Sequence, residues 1–207
     1  MDQVTLYLDT ARAYTRLVAL VRPDDWQRPA LGVWDVRALV GHTTRALTTV
    51  VEYLAAPEPA DGARVLTASE YFAAFAASAD KASADDAVAA RGHAAGAELG
   101  QDPAALTAEL TDDVARALEG VPVQRLVATR FGHLRLEEYL RTRTFELVVH
   151  GLDLARALTL PGDVPPAPAV AAALELATQA AAASGRGTEV LAALTGRATL
   201  PPGFAVL

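Results

Sequence analysis

The chain has 207 residues, of which 52% are hydrophobic, and its 18 basic and 25 acidic residues give a net charge of −7. A chain this long and this apolar can bury a full core, which excludes intrinsic disorder, and its negative charge argues against a nucleic-acid partner, because phosphate binding needs a basic surface. Cysteine is absent, which excludes disulfides, thiolate metal sites and a cysteine nucleophile.

The sequence carries no pattern typical of an exported or membrane-bound protein. Its first residues, MDQVTLYLDTARAY, include acidic side chains early and have no basic segment before an apolar run, so a signal peptide is not predicted. The most apolar later run, residues 167–184, contains Glu175 and Gln179 and is too short and too polar to cross a bilayer. We therefore expect a cytoplasmic protein with no membrane partner.

Apolar residues recur with the period of an α-helix along most of the chain. Asp35 and Asp102 are suited to cap helix N-termini, and Pro103 stands at the first helical position, which proline favours. The third helical segment is expected to break near residues 83–86 or at Gly92. The predicted helices cover about residues 4–20, 35–56, 68–99, 103–118, 136–158, 169–183 and 188–194.

The segments between these helices predict loops and very little strand. Residues 124–130 could be extended and Gly132 favours a turn, but no alternating pattern is long enough to build a sheet. Five prolines and glycines within residues 161–168 predict a linker. The expected architecture is all-α: a helical bundle over residues 1–160, and a linker with short C-terminal helices over residues 161–207.

The helix predicted over residues 136–158 has a polar stripe within an apolar sequence. Arg143, Glu146, His150 and Asp153 are spaced three, four and three residues apart, which places them on one face of a helix. If this face is solvated, the four side chains pair with one another. If it points into the bundle, Glu146 and His150 could hold one metal ion, as carboxylate and imidazole groups do in other bundles. Spacing alone leaves both interpretations open.

A metal site would need a third ligand from another helix, since Zn²⁺ takes four donors and a catalytic site keeps one position for water or substrate. His42 lies one turn into an otherwise apolar helix, although a lone helical histidine is more often a packing residue. His133 also has a glutamate four residues on, but its place beside Gly132 favours a capping or loop role. His93 lies between glycines in the segment RGHAAG, which predicts a surface loop. His42 is therefore the best available partner for the Glu146–His150 pair.

Other polar or aromatic residues favour structural roles. Trp26 and Trp34 flank a loop and are expected to anchor the core rather than to form a stacking platform. Arg141 and Arg143 could hold a substrate carboxylate, but solvated or ion-paired arginines are more common. Glycine spacing fits neither a dinucleotide-binding loop nor a P-loop, and a Gly-x-Ser-x-Gly nucleophile motif is absent.

Three segments together resemble a known family. GVWDVRALVGHTTRAL resembles the W-x-V-x-x-L-x-x-H helix of the DinB/YfiT-like metalloenzymes. RTRTFELVVHGLDLARAL resembles the R-x-x-E-x-x-x-H-x-x-D-L-A helix of their mycothiol-dependent maleylpyruvate isomerase branch, in which glutamate rather than histidine starts the E-x-x-x-H pair. LAALTGR is similar to the ending of many bacterial members. The resemblance covers about residues 42–197, with both ligand segments in the family's order.

The resemblance implies an up-down-down-up four-helix bundle whose metal ligands are His42, Glu146 and His150. The metal of the family is usually Zn²⁺, and its members commonly use low-molecular-weight thiols such as mycothiol. The founding isomerase also has an α/β C-terminal domain that contributes to its active site. Residues 161–207 instead predict a linker and short helices, so we do not expect maleylpyruvate isomerisation itself.

These implications lead to a functional expectation. The resemblance implies a metal-dependent enzyme that uses mycothiol or a similar thiol as cosubstrate, for S-transfer to a small electrophile or for thiol-assisted isomerisation of one. The alternative is a non-catalytic bundle that binds a metal or senses a ligand. If the polar stripe faces solvent, the chain is a metal-free helical interaction protein. Bundles of this family often form homodimers.

Overall fold

A computed structural model describes residues 1–60, 64–77, 81–160 and 165–206, without the side chains of residues 81–86. The described part is mostly helical, as predicted. Its helices are α1 (Gln3–Val18), α2 (Val36–Ala55), α3 (Ala68–Ala77), α4 (Lys81–Glu98), α5 (Pro103–Leu118), α6 (Leu136–Ala157), α7 (Ala167–Ala183) and α8 (Gly187–Leu194). Its strands are β1 (Pro29–Leu31), β2 (Trp34–Asp35), β3 (Val65–Leu66), β4 (Leu126–Thr129) and β5 (Gly132–Arg135).

Two helix starts follow the capping residues that the sequence predicts. The Asp35 carboxylate accepts a hydrogen bond from the backbone N–H of Ala38 at 2.8 Å, and Asp102 accepts one from Ala105 at 3.0 Å. Each bond satisfies an N–H group that lacks a partner in the first helical turn. These local interactions fix where α2 and α5 begin.

The predicted break in the third helical segment is wrong in position. The segment forms two helices, but α4 is continuous through both residues 83–86 and Gly92. The residues between α3 and α4, 78–80, lie outside the described part of the chain. Gly92 serves packing instead: a Cβ atom there would lie 2.5 Å from the Trp34 ring, so only glycine lets α4 approach this closely.

The prediction that no sheet forms is also wrong. β1 pairs with β2 in an antiparallel ladder, and β5 lies between β3, its parallel neighbour, and β4, its antiparallel neighbour. The extended segment predicted over residues 124–130 is confirmed in part, since it contains β4, but the turn lies at residues 130–131 and Gly132 begins β5. Strands of two to four residues are too short to show a period of two, and β3 is distant from β5 in the sequence.

The main hydrophobic core lies between α1, α2, α5 and α6, and α4 packs along α2. Leu17, Leu39, Val114 and Leu147 bring one fully or nearly fully buried side chain from each of the four core helices. The core therefore joins α2 to α6, the two helices that carry the predicted ligands. The up-down-down-up helix order and the bundle boundary at residue 160 stay predictions.

The C-terminal helices extend the molecule beside α6. α7 packs on α6 and α3 through a second cluster that includes Phe72, Phe145 and Leu176. Residues 161–164 of the predicted linker lie outside the described part, and its last two residues, 167 and 168, belong to α7. α8 packs on α7, close to its predicted bounds. None of the helices within the described residues is both long and apolar enough to span a bilayer.

Candidate metal centre

The three predicted ligands come together. His42 lies in the second turn of α2, while Glu146 and His150 lie one turn apart on α6. One donor atom from each side chain can be chosen so that all three atoms lie within 4.8 Å of one another. A tetrahedral Zn²⁺ ion holds such donors at about 2.0–2.2 Å, which puts two ligands about 3.4 Å apart. The Nε2 atom of His150 is 3.2 Å from Oε2 of Glu146, so this pair already has that spacing.

The backbone beside His42 is held by an unusually close helix crossing. A Cβ atom on Gly41 would lie 2.2 Å from the backbone nitrogen of Gly96 on α4, and one on Gly96 would lie 2.9 Å from the Arg37 carbonyl oxygen. Two glycines therefore allow the α2 and α4 backbones to touch. This contact fixes the turn of α2 from which His42 projects.

The ring of His42 is supported by Trp34. The centroids of the two rings are 4.5 Å apart, and their planes are inclined by 33°. Trp34 is 7% exposed, and its indole N–H donates a hydrogen bond to the carbonyl of Ala89 on α4 at 3.1 Å. The expectation that Trp34 anchors the core is confirmed. Its contact with a predicted ligand was not foreseen.

His150 lies between two carboxylates on its own helix. Its Nδ1 atom is 3.2 Å from Oδ2 of Asp153, while its Nε2 atom faces Glu146. Burial lowers the pKa of His150, but the hydrogen bonds that its ring N–H groups donate to Asp153 and Glu146 outweigh burial and raise the pKa to about 9. For Glu146, burial raises the pKa, whereas the His150 hydrogen bond and the Arg143 charge bring it down to about 2. Glu146 is therefore an anion throughout the physiological range.

His42 behaves differently from His150. Burial and the nearby charge of His150 lower the pKa of His42 to about 4, so its imidazole is neutral at neutral pH. Its Nδ1 atom is buried and has no hydrogen-bond partner within the described residues. A neutral imidazole, an ionised carboxylate and a second imidazole form a donor set that suits Zn²⁺. The residues present thus fit a divalent metal.

Arg143 lies one turn before Glu146 on the same face of α6. It is partly buried, its Nε–H donates to Oγ1 of Thr142 at 3.0 Å, and its guanidinium carbon lies 5.1 Å from the centre of the Tyr139 ring. Burial lowers the pKa of Arg143, but Tyr139 and Glu146 more than offset this effect and raise it. Arg143 is therefore a permanent positive charge beside the triad.

The other sequence candidates lie apart from the triad. His133 belongs to β5, so the predicted capping or loop role at the start of α6 is wrong, and Arg135 occupies the N-cap position instead. His93 is exposed, as expected, but it lies in α4 rather than in a loop. Arg141 is ion-paired with Glu138 at 3.0 Å, which supports its structural interpretation.

The fold and the site define the class of protein: a mostly helical protein with a His/Glu/His group that could hold a metal ion. The family model described as mycothiol maleylpyruvate isomerase N-terminal domain matches residues 7–155, which is more than half of the chain. The chain therefore belongs to this family, in the DinB-like maleylpyruvate isomerase branch. No curated protein and no solved structure matches the chain.

Proposed function

We propose that the protein is a metal-dependent enzyme that uses a low-molecular-weight thiol, such as mycothiol, to modify a small electrophile. The reaction is either S-transfer, in which the thiolate sulfur bonds to an electrophilic carbon and joins the whole thiol to it, with any leaving group released, or thiol-assisted isomerisation. His42, Glu146 and His150 are the proposed ligands of a divalent metal, most suitably Zn²⁺. The single observation that carries the proposal is the convergence of their donor atoms from two helices, within 4.8 Å of one another.

The charge of the donor set suits thiol chemistry. Metal binding would release the Nε2 proton of His150. Two neutral imidazoles and one carboxylate would then leave a divalent ion with a net charge of about +1, which favours the ionised form of a thiol that enters the site. Glu146 supplies the anionic ligand, and Asp153 accepts the Nδ1–H of His150 and so directs Nε2 towards the metal position. Trp34 packs against the His42 ring, and all three proposed ligands are partly buried, so the access of water is limited.

The family supports the choice of thiol and reaction. Its description names mycothiol and an isomerase, and this chain matches that description over residues 7–155. The chain has no cysteine of its own, so a thiol used at this site must arrive as a cosubstrate. We propose a cytoplasmic enzyme whose partners are this thiol and the electrophile, with no nucleic acid or membrane partner. Homodimer formation stays a prediction.

Turnover with mycothiol tests the proposal. The zinc-loaded protein is incubated with mycothiol and a panel of electrophiles, including cis-unsaturated acids and activated alkyl halides, and thiol consumption and isomer ratio are followed. We expect metal-dependent turnover that is lost in His150→Ala and retained in His93→Ala. Stoichiometric metal and thiol binding without turnover of any electrophile would instead favour a ligand-sensing bundle.

A further inference from the structure

The guanidinium of Arg143 is largely uncommitted. Its one hydrogen bond within the described residues runs from Nε to Thr142, and no described carboxylate forms an ion pair with it. Arg141 and Arg156 on the same helix both have carboxylate partners, Glu138 at 3.0 Å and Asp153 at 3.0 Å. With respect to the described part of the chain, the terminal nitrogens of Arg143 are therefore free to bind another group.

The neighbours of Arg143 do not neutralise its charge. The hydroxyl of Tyr139, whose ring lies beneath the guanidinium, donates to Oγ1 of Thr49 at 2.7 Å. The hydroxyl of Tyr7, another close neighbour, donates to the carbonyl of Ala46 at 2.9 Å. Both phenols thus shape the surroundings of Arg143 without pairing with it.

Glu146 is the acidic residue whose charge acts most directly on Arg143, but its carboxylate is committed elsewhere. Its Oε2 atom lies 3.2 Å from His150, within the proposed metal triad. A partly buried charge without a partner is unfavourable, because burial removes the water that would otherwise solvate it. Arg143 is therefore poised for an anion that arrives with a ligand.

We propose that Arg143 binds a carboxylate of the small molecule that occupies the metal triad and so determines specificity for acidic ligands. The planar guanidinium can hold both carboxylate oxygens at once, which gives this contact direction as well as strength. Residues three apart on a helix are neighbours, so the ligand would extend from the triad along α6 by about one turn. This inference rests on the proposed function, because it takes the triad as the position of the reacting end.

Matched acid and amide ligands test the role of Arg143. The full chain is loaded with Co²⁺ and titrated with mercaptocarboxylates in which two, three or four methylene groups separate the thiol from the carboxylate, and with their amides. Binding is followed by the cobalt absorption spectrum. For at least one chain length we expect the wild type to bind the acid at least about tenfold more tightly than the amide, as expected for a charge-assisted contact.

Two variants distinguish a specific contact between Arg143 and the carboxylate from general electrostatic attraction of an anion. Arg143→Gln is expected to bind the acid and the amide equally, whereas Arg45→Gln, which removes an exposed positive charge from α2 near His42, keeps the preference. Arg143→Lys retains the charge but not the planar guanidinium, so it should keep a smaller preference for the acid over the amide. This variant replaces Arg143→Gln if Arg143→Gln does not fold. The inference is overturned if the wild type binds the acid and the amide with equal affinity, or if Arg143→Gln still prefers the acid.

If the triad does not bind thiols, the proposed function fails, and no thiol changes the cobalt spectrum of the wild type. Binding of a carboxylate by Arg143 is then tested separately, by calorimetric titration with butyrate, which has no thiol. Butyrate binding that is lost in Arg143→Gln but kept in Arg45→Gln supports the role of Arg143, and absence of butyrate binding to the wild type overturns it.

Discussion

Trp34 lies between His42 and Gly92, and its ring contacts both. One contact is with the His42 ring, at 4.5 Å between centroids, and the other is with the backbone of Gly92 on α4. The indole N–H also bonds to α4, through the carbonyl of Ala89. α4 provides no proposed ligand, but it sets the position of one through Trp34.

Gly92→Ala is expected to move Trp34, because the added methyl group would lie 2.5 Å from the indole ring. Overpacking of this kind costs about 1–3 kcal/mol in the free energy of unfolding. Zinc affinity should fall as well, since the His42 ring loses its support. Urea unfolding followed by tryptophan fluorescence measures the first effect, and a chelator competition measures the second. His93→Ala, an exposed neighbour on α4, is the matched control. Unchanged stability and affinity in Gly92→Ala would contradict this role for Trp34.

Gly41→Ala should destabilise the fold more than Gly92→Ala. The new Cβ atom would lie 2.2 Å from the Gly96 backbone nitrogen, and backbone atoms cannot move aside as a side chain can. Parallel thermal unfolding of the two variants checks this order. A smaller loss in Gly41→Ala would show that α2 and α4 do not cross in this way.

Asp153→Asn is expected to weaken zinc binding by about 10–100-fold, the usual effect of removing a carboxylate that orients a ligating histidine. The measurement is best made above pH 9, where His150, whose pKa is raised to about 9 partly by Asp153, has lost its proton in both proteins. Arg156→Gln removes the exposed partner of the other Asp153 oxygen and should change the affinity little. Equal affinities in wild type and Asp153→Asn would exclude the orienting role.

Asp25 should make folding sensitive to acid. It is 5% exposed, and hydrogen bonds from Arg22 and Arg28, each at 2.9 Å, hold the pKa of its carboxyl well below its usual value. The ionised form therefore stabilises the native state above its ordinary pKa of 3.8, and this contribution is lost as pH falls through the native value. Asp25→Asn should show a weaker loss of stability with acid, measured by urea unfolding at a series of pH values below 6. An identical acid dependence would contradict the ion pairs.

Local signals in the sequence predicted much of the fold. Asp35 and Asp102 fix helix starts through bonds to residues three positions on, so the capping pattern is visible in the sequence. The Glu146–His150 pair follows from helical spacing in the same way. Spacing alone could not show that α2 and α6 converge. Comparison of the remaining histidines made His42 the best available partner, and the family resemblance implied the same residue.

Long-range contacts could not be predicted from the same signals. Gly92 suggested a helix break, but its role is to admit a tryptophan that lies 58 positions earlier in the sequence, which no local pattern reveals. β3 and β5 are too short to show alternation and meet only because the helices between them bring them together. The Trp34–His42 contact was also missed, although the two residues are close in the sequence, because the position of the Trp34 ring depends on its contacts with the distant helix α4.

The metal content of His42→Ala tests most directly whether α2 and α6 share a metal centre, because His42 comes from a different helix than Glu146 and His150. Each protein is loaded with Zn²⁺, passed through a desalting column and analysed for zinc per chain. We predict one zinc per chain in the wild type and in His93→Ala, and a loss of stoichiometric zinc in His42→Ala. Full occupancy in His42→Ala, or no zinc in the wild type, would contradict a metal centre shared between α2 and α6.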